Sequence, residues 1–266
     1  MLFLLLEGFC FFLIYRNNHY NEVAYLNIAN ETTGKVFSIY QGANDYFYLR
    51  RYSDSLVAEN AKLRAELYES RYDTRIDSGH ISDSTAKTVQ QYTYIAARVI
   101  ENSVNRATNI IYLDRGRNQG VQKEMGVING NGIVGVVIGV TDNYSVARSV
   151  LSKGYTVSAK FKKNEFFGNV AWKGTSSTEA IMLDIPKHVP VKVGDTLVTS
   201  GFSQLFPRNV MVGTVTDVKM EADKNFLEIT LKLSTNFNSL SYVYVVNNIR
   251  KQEIQALDTV QKKATP

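Results

Sequence analysis

The residues of this chain that could perform catalytic chemistry are centred on Ser200, within the segment Gly194–Gly201, which reads GDTLVTSG. A serine nucleophile needs a base within hydrogen-bond distance and an acid that orients the base. The histidines are His19, His80 and His188. A triad is possible only if His188 folds back onto Ser200. We therefore predict that Ser200 and His188 are structural and that the chain is not an enzyme. Asp195, directly after a glycine, is typical of a turn that leads into a strand.

Two other kinds of site can be tested against the residue pattern. Gly130, Gly132 and Gly135 have the spacing of a dinucleotide fingerprint, but that fingerprint requires a helix after it, and residues 134–140 are typical of a strand. A glycine-containing hairpin turn explains the spacing, so no cofactor is predicted. With scattered histidines and Cys10 as the single cysteine, no metal-ligand spacing occurs, and no metal is predicted.

Composition excludes further classes of function. The chain has 266 residues, a net charge of +5 and a hydrophobic fraction of 44%. Its lysines and arginines are spread along the chain, so no nucleic-acid partner is predicted.

The first structural element that the sequence predicts is an apolar segment, residues 2–15, which reads LFLLLEGFCFFLIY. As a helix it would measure roughly 20 Å, short of a hydrocarbon core of about 30 Å. A signal-peptide core, a buried helix, and a membrane helix whose start lies upstream of Met1 are all compatible with it. The aromatic and basic residues at its end favour the third. We therefore expect a membrane anchor over residues 1–20 and a juxtamembrane linker over residues 21–38.

A heptad pattern follows and predicts a coiled-coil helix over residues 39–77. Leucines recur at seven-residue intervals in the d position, and the alternating positions include a polar residue that would specify two strands. The seam residues are Leu49, Leu56, Asn60, Leu63 and Leu67. We expect a parallel homodimer through this seam. The alternative is a single amphipathic helix that lies on the protein's own core. Residues 78–91 are polar and predict a linker.

Residues 92–248 change to short runs of Val, Ile, Tyr and Thr separated by Gly and Asn. About ten strands without long helices between them predict closed or sandwiched antiparallel sheets, and the length suits two small barrels. The predicted strands cover residues 94–100, 109–113, 132–140, 156–161, 168–172, 180–183, 195–199, 211–218, 227–233 and 242–246. The polar residues 249–266 predict a disordered tail.

The segment Gly194–Val215 predicts a strand, a turn and a strand. We expect positive φ at Gly194 and Gly201, where glycine is favoured, and we expect Pro207 to set the entry into the second strand. Three large apolar side chains follow Gly201 and would either cap a barrel end or bind a partner. The candidate packing or partner surface comprises Gly194, Asp195, Thr199, Ser200, Gly201, Phe202, Phe206, Pro207 and Gly213.

This segment, GDTLVTSGFSQLFPRNVMVGTV, resembles the rod-shape-determining protein MreC family, as do the stretches 118–128, 132–137 and 168–172. The resemblance runs in order over nearly the whole chain. It implies a mainly β fold, with two six-stranded β-barrels preceded by a membrane anchor and a dimeric coiled-coil helix. It also implies a scaffold role in the cell-elongation complex that makes peptidoglycan, alongside MreD, the actin-like MreB, RodA and a penicillin-binding transpeptidase.

These features predict a single-pass protein of the inner (cytoplasmic) membrane with most of its chain in the periplasm. The alternative function is a periplasmic adaptor of a membrane export system, which also combines an anchor, a coiled coil and β domains. Adaptors usually carry an outgoing and a returning helix between two halves of a β module. Here one heptad helix precedes all the strands, which favours the scaffold.

Overall fold

The structure is a computed structural model that describes residues 2–17, 50–67, 70–73, 88–220, 225–251 and 253. The chain divides into two units, Met1–Leu56 and Val57–Pro266. In the first unit the apolar N-terminal run forms helix α1 (Leu2–Asn17). Among the described residues, no helix combines the length and the hydropathy that a bilayer crossing requires. The juxtamembrane linker and Leu49 lie outside the described residues.

Residues 50–66 form a second helix, α2. In this helix Val57 packs against the hydrophobic core and Ala61 is buried, whereas Leu63 lies 55% exposed. The helix thus uses one face for the protein's own core, as the alternative interpretation of the heptads anticipated, and leaves the leucine seam exposed.

The coiled-coil helix predicted through residue 77 is wrong at its C-terminal end. Beyond residue 66, Ser70 donates through its hydroxyl to the Arg64 carbonyl at 2.7 Å and lies 2.8 Å from the hydroxyl of Tyr94. The Arg64 carbonyl, at the end of the helix, therefore accepts this side-chain donor in addition to the backbone N–H of Leu67 at 3.3 Å. Strand β1 (Arg71–Asp73) follows and pairs with β2 (Thr88–Gln90), so the predicted linker also contains a strand.

The other strands follow in chain order: β3 (Tyr92–Asn102), β4 (Ile110–Leu113), β5 (Gly126–Ile128), β6 (Ile133–Val140), β7 (Ser145–Ser149), β8 (Thr156–Phe161), β9 (Phe167–Ala171), β10 (Glu179–Pro186), β11 (Thr196–Thr199), β12 (Met211–Lys219), β13 (Phe226–Leu233) and β14 (Tyr242–Asn248).

These strands close two antiparallel barrels. The first has the order β14-β3-β4-β7-β6-β5, and the second has the order β10-β13-β12-β11-β8-β9. The second barrel is therefore inserted between β7 and β14, and the returning chain closes the first barrel. Closure pairs the strand edges that an open sheet would expose. The predicted fold class, mainly β with two six-stranded barrels and an N-terminal helix, is confirmed, whereas the membrane anchor is not shown.

The barrel cores follow from alternation along the strands. In β13 the residues Leu227, Ile229, Leu231 and Leu233 are buried, and the residues between them are half-buried or exposed. Such alternation places one set of side chains inside a closed sheet. Each of the ten predicted strands overlaps an observed one, but β5 and β7 of the first barrel were missed, as were β1 and β2 outside the barrels. β5 has only three residues, and β7 reads SVARS, with its polar side chains among the apolar ones.

The end of the described chain also differs from its prediction. Ile249 donates its backbone N–H to the Gln91 carbonyl at 2.9 Å. The Lys251 ammonium group lies 3.1 Å from the Glu124 carboxylate. Contacts with the first barrel therefore continue to Lys251, and the predicted tail does not begin at residue 249.

Candidate functional site

The segment Gly194–Val215 forms β11, a loop over residues 200–210, and the first part of β12. Gly194 has a φ of 93°, as expected, and its N–H donates to the Val215 carbonyl at 2.9 Å. The N–H of Val215 donates in return to the Asp195 carbonyl at 2.9 Å. The turn before β11 is thereby tied to the strand beside it.

Asp195 holds this turn with its carboxylate. Its Oδ2 accepts the backbone N–H of Lys192 at 2.7 Å and lies 2.5 Å from the ammonium of Lys163. Partial burial favours the neutral acid, but the hydrogen bonds and positive charges of Lys163 and Lys192 outweigh it and hold the pKa of Asp195 below its ordinary value. Asp195 therefore belongs to the turn that leads into β11, as its position after Gly194 predicted.

We predict that Asp195→Asn destabilises the protein by on the order of 0.5–1 kcal/mol at neutral pH and low salt. Because the pKa of Asp195 is lower in the folded than in the unfolded chain, its stabilisation is present above the ordinary value of 3.8 and is lost as the pH falls through the folded value. Urea unfolding of both proteins between pH 7 and pH 3 should show curves that converge at low pH. Asp217→Asn, at a more exposed ion pair, is the control. A stability difference between the two proteins that is as large at pH 3 as at pH 7 would contradict the prediction.

Thr199 and Pro207 close the loop that follows β11. The buried Thr199 hydroxyl donates to the Pro207 carbonyl at 2.5 Å and accepts the N–H of Val210 at 3.0 Å. The Thr199 N–H donates to the Val210 carbonyl at 2.8 Å. The two ends of the loop are therefore joined before β12 begins. Pro207 acts here through its carbonyl, in addition to its restricted φ.

Two glycines of the segment allow close approaches. Gly201 has a φ of 81°, and a Cβ there would lie 2.1 Å from Cγ of Arg208. A Cβ on Gly213 in β12 would lie 2.4 Å from the carbonyl oxygen of Lys232 on β13. Gly201 thus needs both an unusual conformation and space, whereas Gly213 needs space alone.

Phe206 is buried where the two barrels contact each other. Its side chain is 1% exposed. A Cβ on Gly126 in β5 of the first barrel would lie 2.1 Å from the carbonyl oxygen of Leu205 and 3.0 Å from Cδ1 of Phe206. Asn248 of β14 also donates its side-chain amide to the Gln204 carbonyl at 3.2 Å. The loop of the second barrel is thus pressed against the first.

A second contact joins the barrels beside the β5–β6 turn. Thr235 donates its hydroxyl to the Ile133 carbonyl at 2.8 Å. A Cβ on Gly132 would lie 2.2 Å from Oγ of Ser234 and 2.4 Å from the Met211 carbonyl oxygen. Gly130 and Gly132 flank this hairpin turn, as predicted, and Gly132 also permits the contact between barrels.

Phe202 is 66% exposed and differs in this from Phe206. Its ring meets that of Phe167 edge to face, with centroids 5.1 Å apart. Phe167 begins β9, and β8 separates β9 from β11 in the barrel, so the two rings meet across the outside of β8. We call Phe167 and Phe202 the aromatic patch.

The candidate catalytic residues lie in different surroundings. The Ser200 hydroxyl lies 2.9 Å from that of Ser158. His188 packs its ring edge against Phe166, with centroids 6.1 Å apart. The hydrogen bonds that Ser200 makes within the described part of the chain thus give it no base that would activate a nucleophile. No group of three or more potential metal ligands occurs in the described ranges.

The seam residues that the structure describes, three in α2 and Leu67 directly after it, share one property, exposure to solvent. Leu56 is 42% and Leu67 is 53% exposed, and Asn60 is exposed as well. Together with Leu63 they leave a strip of apolar surface on the helix.

The sequence did not predict which residues of the first barrel contact the loop of the second barrel. Gly126 and Gly132 permit the close contacts between the barrels. Each is a glycine that directly precedes or begins an apolar run. That signal marks a close approach of backbones but does not identify the partner, which lies far along the chain.

Comparison with known proteins adds an independent line of evidence. Residues 99–247 match the family model described as rod shape-determining protein MreC, barrel core. The cell shape-determining protein MreC of Geobacillus stearothermophilus is 26% identical over 224 residues, which are 80% of this chain and 74% of that protein. The MreC of Escherichia coli is 23% identical over 201 residues, 73% of this chain. The match spans 54% of the length of the Escherichia coli protein.

A solved structure agrees with the fold. MreC of Listeria monocytogenes superposes with a TM-score of 0.56 at 22% identity, over 78% of this chain and 95% of that one. The matched family model covers most of both barrels, including the loop of residues 200–210 that packs against the first barrel. The chain therefore belongs to the rod shape-determining protein MreC family.

Proposed function

We propose that this protein is an extracytoplasmic scaffold of the complex that synthesises peptidoglycan during cell elongation and controls rod shape. Residues 1–20 would anchor it in the inner membrane, and the barrels would lie in the periplasm. The partners that family resemblance implies are MreD, MreB, RodA and a penicillin-binding transpeptidase. Membership of the MreC family supports the scaffold over the export-system adaptor.

The observation that carries the proposal is the aromatic patch on a pair of joined barrels. Aromatic side chains are enriched in the centres of protein interfaces, and Phe202 and Phe167 lie 66% and 59% exposed on the outside of a closed sheet. Beneath them, Ser158 and Ser200 are joined by a hydrogen bond, which holds the residues before Phe202 against β8. A scaffold needs such a surface held in a fixed position, and we propose that the transpeptidase binds here.

The aromatic patch predicts an interaction defect without a folding defect. Phe202→Ala and Phe167→Ala should each reduce co-purification of the transpeptidase at least tenfold, because loss of an interface aromatic commonly costs more than about 1–2 kcal/mol. Unfolding free energy should change by less than about 1 kcal/mol. Val193→Ala, at another exposed apolar residue of the same barrel, is the control. In cells depleted of the native protein, the two variants should fail to prevent rounding. Normal shape with lost export would favour the adaptor.

We also infer a parallel homodimer through the seam of α2. Its support is the seven-residue spacing together with the exposure of Leu63 and Leu67, while Val57 and Ala61 pack on the protein's own core. A helix with one face on its own core and an apolar strip exposed can bury that strip against a second copy.

The seam predicts that Leu56→Asp combined with Leu63→Asp shifts the full chain in detergent from dimer to monomer, since buried carboxylates oppose pairing. Lys62→Asp, on the same helix but outside the seam, should remain dimeric. Light scattering coupled to size exclusion measures the protein mass. An unchanged mass in the double variant would eliminate the seam as the dimer contact.

A further inference from the structure

A cavity of about 260 Å³ lies where the end of α2, the β5–β6 turn and the residues before β12 meet. It is smaller than the pockets that hold drug-sized ligands, so it has room for one or two side chains. It is separate from the aromatic patch, since neither Phe167 nor Phe202 lines it.

Two arginines line this cavity, and none of its described lining residues is acidic. The Arg64 guanidinium carbon lies 5.0 Å from the centroid of the Tyr244 ring. One terminal nitrogen of Arg64 donates to the Gly130 carbonyl at a long 3.4 Å. Its Nε is buried and has no hydrogen-bond partner among the described residues. A buried donor without a partner is costly, so the described residues leave the hydrogen-bonding capacity of the Arg64 guanidinium incompletely satisfied.

Arg208 brings a second positive charge to the cavity lining. It makes no ion pair with any residue in the described ranges and is exposed. Burial, and then the neighbouring Tyr94, raise the pKa of Tyr92 to about 12, and the charge of Arg208 opposes this rise. The Tyr92 phenol is therefore neutral at physiological pH and does not compensate the charge of Arg208.

Two arginines favour a negatively charged ligand, and the other lining residues indicate which chemical group would lie next to its charge. Leu67, Ile128 and Met211 supply apolar surface around the arginines. Guanidinium groups bind carboxylates in a planar fork, and an apolar wall favours an anion attached to an apolar neighbour. A polypeptide segment that carries a carboxylate among apolar residues has both properties.

We propose that this cavity is a binding site for a carboxylate of a partner polypeptide, held by Arg64 and Arg208. The carboxylate can belong to an acidic side chain or to a chain terminus. Because the walls come from α2 and from both barrels, an occupant would contact all three elements at once. The partner would therefore bind where the helix meets the two barrels.

The test uses the full chain in detergent and three pentapeptides that carry a neutral dye. The first is Ala-Leu-Glu-Leu-Ala with an amidated end, the second is Ala-Leu-Gln-Leu-Ala with a free carboxyl end, and the third is Ala-Leu-Gln-Leu-Ala with an amidated end. Fluorescence anisotropy should show at least one carboxylate peptide binding ten or more times more tightly than the neutral one. Comparison of the first two identifies the source of the carboxylate.

Arg208→Gln should weaken that binding at least tenfold, and so should Arg64→Gln. Arg208 is exposed, so its variant should fold even if Arg64→Gln disturbs the packing on Tyr244. Arg106→Gln, at an exposed arginine outside the cavity, should bind within about twofold of the unchanged protein. Equal binding of acidic and neutral peptides, no binding of any peptide, or unaltered binding in Arg208→Gln would overturn the proposal. Displacement by inorganic phosphate but not by acetate would overturn the assignment to carboxylates.

Discussion

Replacing Phe206 with alanine is expected to lower the free energy of unfolding by about 3–5 kcal/mol. The ring is 1% exposed and packs at the junction of the barrels beside Gly126. Its removal would lose apolar burial and leave a cavity that the closed sheets on both sides cannot easily fill. Because Phe206 belongs to the second barrel's loop and contacts the first barrel, we also expect the two barrels to unfold less cooperatively.

Urea unfolding of the full chain in detergent measures this effect. Trp172 is the only tryptophan, and its indole N–H donates to the Ser176 carbonyl at 2.6 Å within the second barrel, so its fluorescence reports that barrel. Circular dichroism reports both barrels. Phe202→Ala is the matched control, with the same substitution in the same loop but at an exposed ring, and should change stability by less than about 1 kcal/mol. Equal losses of unfolding free energy in the two variants would refute the prediction that Phe206 stabilises the contact between the barrels.

Gly126→Ala is expected to destabilise the protein by about 3 kcal/mol or more, although it adds a single methyl group. The added Cβ would lie 2.1 Å from the carbonyl oxygen of Leu205 and 3.0 Å from its carbonyl carbon. These are backbone atoms, which cannot rotate away as a side chain can. The loop of residues 200–210 must therefore move off β5, or β5 must leave its pairing with β6 and β14.

Gly130→Ala provides the control, because a Cβ there has no heavy atom within 4 Å, and should change stability by no more than about 0.5 kcal/mol. Thermal unfolding measures the loss. Trypsin cleavage after Arg208 measures where it occurs, since a loop that leaves β5 becomes a better protease substrate. A Gly126→Ala protein as stable and as resistant after Arg208 as Gly130→Ala would show that the barrels are not in close contact here.

Much of the barrel pair could be predicted because its signals are local. Alternation in residues 227–233 and the turn glycines at 130 and 132 are short-range consequences of strand geometry. The same reasoning predicted a strand after Gly132, and β6 begins there. The positive φ of Gly194 and Gly201 was likewise predictable, because the requirement lies in a single residue.

The strands and the helix end that were missed show where local signals fail. β5 has three residues, too few for a pattern, and it is held by pairing with β6 and β14. The heptad pattern predicted helix through residue 77, but it contains no information about Tyr94, whose hydroxyl meets that of Ser70 just after the helix ends. Tertiary contacts of this kind override helix propensity.

The sequence by itself determined that this protein is mainly β, that its glycine-rich segment forms a strand, a loop and a strand, and that a leucine seam precedes the barrels. Only the tertiary structure decided that Phe206 is buried where the two barrels contact each other while Phe202 is a surface residue, and that Arg64 and Arg208 line one cavity. The physical reason is that φ preferences and side-chain alternation depend on neighbouring residues, whereas burial depends on which distant segment arrives. The two phenylalanines have the same side chain in the same loop, and the contact with Gly126 of the first barrel distinguishes them.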